Sequence, residues 1–301
     1  MSESLSEPLP EHLGSRAGAA PRRHRASGHE SAWSLGSEFA WAISDAGVLT
    51  RRNLLHTVRL RELWPFLFLQ PLVFVLLFSL VFGGAIQLPG GGNYREFLLA
   101  GVFAQAVAFS TFPTTVAMAY DLHLGLMDRL RTLPIHPAAI FIGRTVGDIA
   151  RMAISLTVMA LCGLAVGWRI DDGPLRAVGG FAVLLLFGFA MSWVGAYLGL
   201  IAKSVQSAQS TPMIWLFPVV FVSNAFVPTQ SMPEPLETVA EWNPVTAVAA
   251  AARELFGNPN PFKAEGTFPA EHPVLLTVVY SFAIITIAAT LCTRRMRSVG
   301  R

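Results

Sequence analysis

Six stretches of this chain are apolar over about the length needed to cross a bilayer, and no other feature restricts its fold so strongly. A hydrocarbon core about 30 Å thick takes about 20 mostly apolar residues in a helix. The stretches are 65–86 (PFLFLQPLVFVLLFSLVFGGAI), 97–119, 146–167, 178–201, 212–228 and 273–293. The fifth, PMIWLFPVVFVSNAFVP, is short and interrupted by Pro218. Asp148 and Arg151 lie near the start of the third. Three residues apart on a helix, they can pair on one face near the membrane surface.

Composition agrees. The chain is 53% hydrophobic and only 14% charged, with a mean hydropathy of +0.51. A soluble domain carries about a quarter charged residues, so a water-facing surface over the whole molecule is excluded. Cys162 and Cys292 both fall in apolar runs and read as small buried hydrophobes, since a disulfide framework or metal site needs more cysteines at closer spacing. Residues 1–31 contain no apolar core of the kind a secretory leader requires. Their Ser, Glu, Pro, Gly and Arg content predicts a disordered cytoplasmic tail reaching to residue 36, with the membrane domain covering 37–301. Arg22, Arg23 and Arg25 either touch anionic lipid or are simply solvated.

Lysines and arginines are retained on the cytoplasmic side. With six spans, seventeen of the 22 fall on the side of the two termini. Both termini and the 120–145 connection are therefore expected in the cytoplasm, with the protein in the cell membrane. Residues 37–64 interleave Phe39, Ile43, Val48, Leu55, Val58 and Leu60 with Arg51, Arg52, Arg59 and Arg61. That pattern suits an amphipathic helix lying on the inner leaflet, with a plain cytoplasmic helix as the alternative.

The segment DLHLGLMDRLRTLPIHP, 121–137, stands out between two of the spans. Placing Asp121, Asp128, Arg129 and Arg131 at mid-bilayer would cost roughly 3 kcal/mol each, so it lies outside the lipid core. At helical pitch Leu122, Leu126, Leu130 and Leu133 share one side. Asp121, Asp128 and Arg131 group opposite, with Gly125 and Arg129 flanking them and Leu124 breaking the pattern. Pro134 and Pro137 end the run. The expectation is a short amphipathic helix over 121–133; an ordinary solvated loop would explain the charges but not the leucine stripe.

Three blocks in this order, spread over about residues 37–301, resemble the permease subunits of ABC-2 type exporters, in particular the daunorubicin-resistance-like permeases of actinobacteria. They are QPLVFVLLFSLVFGGAI (70–86), DLHLGLMDRLRTLPIHPAAIFIGRTVGD (121–148) and LFPVVFVSNAFVPTQSMPEPLETVAEWNPVTAVAAAAREL (216–255). The resemblance implies an all-α, six-span membrane protein of ABC-2 type, with an interfacial N-terminal helix and a cytoplasmic coupling helix. It implies that a separate ATP-binding subunit grips the segment at 121–133, with Asp121, Asp128, Arg129 and Arg131 pairing with charges on that subunit. Such charges set register and partner choice more than affinity. Gly125 either permits close backbone approach or is a weak point in a short helix. The resemblance further implies that spans two and five of two permease copies, identical or paralogous, line a central cavity. Here these would supply Gln105, Phe109, Phe112, Phe221 and Asn224, unless the phenylalanines merely pack helix on helix or face lipid. PEPLETVAEW and VTAVAAAAREL, divided by Asn243–Pro244, read as two short helices; the resemblance implies that they cap the exit, with an ordinary extracellular loop as the alternative.

No G-x-x-x-x-G-K-[ST] loop and no H-E-x-x-H pair occurs in the chain. Nucleotide and its magnesium are therefore expected on the partner, with no cofactor or metal on this chain and no catalysis of its own. Span interiors hold almost no ionisable groups, which an ion-coupled carrier would usually show. The expected function is ATP-driven export of a hydrophobic or amphipathic compound, an antibiotic or a lipid-like metabolite. Membrane lipids are expected as partners and nucleic acid is not. Export of a lipid-linked polysaccharide, an ion-coupled carrier and a non-transport scaffold are the alternatives.

Overall fold

The computed structural model of the chain describes residues 91–125 and 137–298, with Leu88 and scattered helical residues between 69 and 81. The expected tail, the segment at 37–64 and most of the first apolar run lie outside these. Among the described residues every regular element is helical. In chain order they are α1 (Tyr94–Ala108), α2 (Thr111–His123), α3 (Pro137–Ala165), α4 (Gly173–Ile201), α5 (Val205–Phe221), α6 (Glu234–Glu241), α7 (Pro244–Phe256), the single turn α8 (Phe268–Glu271) and α9 (Pro273–Ser298).

Four described helical runs are long and apolar enough to cross a membrane: Tyr94–His123, Ile142–Ala165, Gly173–Ile201 and Pro273–Met296. They correspond to the second, third, fourth and sixth apolar stretches. The second is broken into α1 and α2 at Phe109 and Ser110. Pro113 has no N–H to offer the Phe109 carbonyl, which accepts from the Phe112 N–H instead at 3.1 Å. The Ser110 and Thr111 hydroxyls take the Val107 and Ala108 carbonyls at 2.6 and 3.0 Å, so the break leaves these acceptors satisfied.

The fifth stretch differs from expectation. Its helix, α5, runs over Val205–Phe221 rather than 212–228 and has 17 residues, at the short end of what spans a bilayer. Apolarity marks where a segment meets lipid or protein, whereas a helix starts where its first N–H groups are capped. Here Ser204 and Ser207 form a reciprocal capping box, each hydroxyl accepting from the other residue's backbone N–H at 3.0 Å. The polar turn before Thr211 is thereby helical.

α4 is the hub, packed against α1, α2, α3, α7 and α9. Its close approach to α2 depends on Gly195 and Gly199, where an added Cβ would sit 2.6 Å from the Thr111 and Thr115 carbonyl oxygens respectively. Around Phe256 of α7, Trp168, Phe103 and Phe181 gather with ring centroids 5.1 to 6.3 Å away. Trp168 is fully buried, and its indole N–H donates to Asn258 Oδ1 at 2.8 Å. The two short helices read around Asn243–Pro244 are α6 and α7. Asn243 caps α7 by accepting from the Val245 N–H at 2.8 Å, and Pro244 opens the helix, where its missing donor costs nothing.

Candidate functional site

At the end of the bundle that carries the 124–136 connection, α2 and α3 are tied by two polar rungs. Asp121, on the last turn of α2, forms an ion pair with Arg144 of α3, with one-fifth or less of each side chain exposed. Two turns deeper, Thr114 donates to Asp148 Oδ2 at 2.6 Å, and Arg151 pairs with Asp148 Oδ1 at 2.6 Å. The i, i+3 pairing expected of Asp148 and Arg151 is thus present, and α2 joins it. Both pairs bridge charges that would otherwise face a low-dielectric helix contact unpaired.

The charged segment is divided differently from the single helix expected over 121–133. Asp121, Leu122 and His123 are the last residues of α2. Leu124 caps that helix, and Gly125 follows at φ +66°, a left-handed conformation that glycine adopts without strain. No atom of the described chain lies within 4 Å of a Cβ built on Gly125, so within this chain its conformation is what calls for glycine. Asp121 is paired within the chain, whereas Asp128, Arg129 and Arg131 lie outside the described residues.

The second feature is a row of aromatic rings across the break in the second span and the fifth helix. Phe109 and Phe112 stack with centroids 5.4 Å apart, and Phe109 meets Phe217 edge-on at 5.3 Å. Phe217 stacks on Phe221 at 5.8 Å, and Phe221 lies 5.9 Å from Phe226. The row therefore runs unbroken from the α1–α2 break to the turn after α5. Phe217 is 37% exposed and Phe221 59%, so the rings offer open faces and edges. Such rings favour offset stacking or edge-to-face contact with a further aromatic group.

Of the residues expected to line a cavity, Phe109, Phe112 and Phe221 come together in this row. Gln105 and Asn224 do not: they are only 6% and 1% exposed. Gln105 is buried on α1. Asn224 follows the end of α5 and turns inward, where its side chain accepts from Arg253. Phe217 and Phe226 were missed, although Phe217 lies one helical turn before Phe221 and that spacing could have revealed it.

Arg253, which lies in the VTAVAAAAREL helix, was also missed as a functional residue. It is fully buried in α7, and among the described residues no carboxylate pairs with it. Nε donates to the Phe97 carbonyl at 3.0 Å, Nη1 to Asn224 Oδ1 at 3.1 Å, and Nη2 to the Asn224 and Ala225 carbonyls at 2.8 and 3.2 Å. The guanidinium carbon lies 3.6 Å from the centroid of the Phe97 ring, a cation–π contact. Burial pushes the group down to about 9, so it remains cationic at neutral pH.

Comparison with known proteins gives this geometry a family. The ABC-2 type transporter family matches residues 45–256. The chain is 40% identical over 187 residues to the daunorubicin resistance ABC transporter permease protein DrrB1 of Streptomyces coeruleorubidus, covering 62% of this chain and 66% of that relative, just under two thirds of its length. It is 24% identical over 217 residues to the probable doxorubicin resistance ABC transporter permease protein DrrC of Mycobacterium tuberculosis strain H37Rv, covering 69% and 78%. Nodulation protein J of Rhizobium leguminosarum bv. trifolii is 26% identical over 190 residues, covering 59% and 67%. With helices as the regular elements of the described residues, four of those runs long and apolar, and a family match across more than two thirds of its length, this chain belongs to the ABC-2 type transporter family.

Proposed function

We propose that this chain is the permease subunit of an ATP-driven exporter of hydrophobic or amphipathic compounds, with flat aromatic drugs as its favoured cargo. The aromatic row from Phe112 to Phe226 carries this reading. It offers stacking surface along the direction of the spans and contains no ionisable side chain, so it suits cargo that partitions from lipid rather than a hydrated ion. Relatives named for resistance to daunorubicin and doxorubicin support the same cargo class. A second permease copy, or a paralogue, facing this row would close it into a walled cavity.

In this reading both termini and the 124–136 connection lie in the cytoplasm, and a separate ABC ATP-binding subunit binds and hydrolyses ATP with its magnesium. That subunit grips the connection through Asp128, Arg129 and Arg131. The rungs Asp121–Arg144 and Thr114–Asp148–Arg151 link α2 and α3 at two levels, and both helices pack on α4, so in this reading a push on the connection passes to both through these rungs and α4. An uncharged row and an engine on another chain set this scheme apart from an ion-coupled carrier.

Reconstitution tests it. Vesicles containing the permease and its ATPase should accumulate doxorubicin only when ATP is present on the ATPase side. Uptake driven by a proton or sodium gradient, with this chain alone and no ATP, would overturn the proposal.

A further inference from the structure

The turn that follows α5 is irregular backbone deep in a helical bundle, and a single short helix satisfies most of its polar groups. Asn243, the cap of α7, donates from Nδ2 to the Val219 and Val222 carbonyls at 2.7 and 2.5 Å. Thr246 accepts from the Asn224 N–H at 3.0 Å. Arg253 takes the Asn224 and Ala225 carbonyls together with the Asn224 side chain. At helical pitch Thr246 and Arg253 lie on one side of α7 with Asn243 beside them, so one polar face grips the whole turn. That face meets the carbonyl end of α5, where a cation is favoured by the helix dipole.

Arg253 does more than cap. Its Nε reaches the Phe97 carbonyl on α1, and its plane lies over the Phe97 ring. One side chain thus ties α7, α1 and residues 224–225 at fixed separations. The backbone is correspondingly close: a Cβ on Gly101 would fall 1.7 Å from the Ala225 carbonyl oxygen. A planar fork of five donors can serve carbonyls diverging from two segments at once. Lysine has a single nitrogen and cannot span them. The gripped residues lie between Phe221 and Phe226, the last two rings of the aromatic row, and the Tyr94 hydroxyl of α1 donates to the Phe226 carbonyl at 2.7 Å.

We infer that Arg253 is a positioning residue of the export route: it holds the turn after α5 against α1 so that Phe226 continues the aromatic row beyond the end of the helix. Its part in export rests on the function proposed above; its hold on the turn does not. The last ring described in the row is set in place from behind by a buried cation, and a substitution at 253 displaces that ring without touching it.

The test measures the reach of a water-soluble maleimide to a thiol at position 226. Full-length protein in nanodiscs, where both faces are open, would carry Cys162→Ala and Cys292→Ala with either Phe226→Cys or, as a control, Lys263→Cys. Adding Arg253→Gln or Arg253→Lys should raise the labelling rate at 226 at least ten-fold and change that at 263 less than two-fold. Unchanged labelling at 226, or an equal rise at both sites, would overturn the inference. Should Arg253→Gln fail to yield folded protein, Asn224→Ala decides: it removes one of the four acceptors and should raise the rate at 226 about three-fold, with no rise counting against the inference. In vesicles with the ATPase, Arg253→Lys should cut maximal doxorubicin uptake at least five-fold while ATP hydrolysis without drug stays within two-fold. A parallel fall in both would reduce Arg253 to packing. Failure of unaltered protein to move any drug would count against the export reading alone, because the labelling still decides the positioning.

Discussion

The ion pair between Asp121 and Arg144 permits a charge-reversal cycle whose size follows from its burial. The two side chains are 20% and 17% exposed. Breaking a buried pair by removing one partner costs about 3–5 kcal/mol, and an exposed pair is worth about 0–1 kcal/mol. Four-fifths burial puts this pair between those limits and nearer the upper, at about 2–3 kcal/mol. Asp121→Arg sets two guanidinium groups together, and Arg144→Asp two carboxylates; each should destabilise by about that amount. The double reversal restores an opposite pair in the same place. Arginine at 121 is longer than the aspartate it replaces, so about half the loss should return rather than all of it. Unfolding of the purified protein in mixed micelles, followed by tryptophan fluorescence, would give the four free energies. The cycle should show a coupling of at least about 1.5 kcal/mol, about ten-fold in the folded fraction. Additivity within about 0.5 kcal/mol would refute the rung and, with it, the argument that a push passes between α2 and α3 through it.

Other changes probe other parts of the chain. Gly101→Ala drives a methyl group into the Ala225 carbonyl and should cost about 3 kcal/mol or more, since overpacking typically costs about 1–3 kcal/mol and backbone must shift here; an unfolding midpoint within error of the parent would contradict the packing. Phe217→Ala and Phe221→Ala each remove a ring contact worth about 0.5–1.5 kcal/mol, so half-saturation of drug-stimulated ATP hydrolysis should rise about two- to ten-fold, with ATP hydrolysis in the absence of drug unchanged. Asp128→Lys combined with Arg129→Glu should abolish co-purification of the ATPase while leaving membrane insertion intact; normal recovery of the complex would place the grip elsewhere.

Much of this architecture is legible because its causes are local. A run of about 20 apolar residues has few ways to satisfy its backbone in lipid other than as a helix, so the second, third, fourth and sixth stretches each coincide with a long helical run, although α3 begins at Pro137, well before the expected 146. Asn243 with Pro244 announces a helix start through chemistry contained in neighbouring residues, and Asp148 with Arg151 are one turn apart. α5 was displaced because hydropathy and capping give different boundaries: its first turn is polar, and Ser204 with Ser207 begin it regardless.

What the chain alone determined is therefore its membrane character, its helical class and the order of its parts, since each depends on composition or on residues within a turn or two of one another. The tertiary structure decided which apolar or polar side chains are buried against protein and which stay exposed, because hydropathy alone does not separate the two. It turned Gln105 and Asn224 inward and lined up Phe217 and Phe226 with the phenylalanines already suspected. It also buried Arg253 against the carbonyl of Phe97, 156 positions earlier in the chain. A charge at that position reads as solvated until the acceptors surrounding it are assembled from two distant segments, and only the folded bundle brings them together.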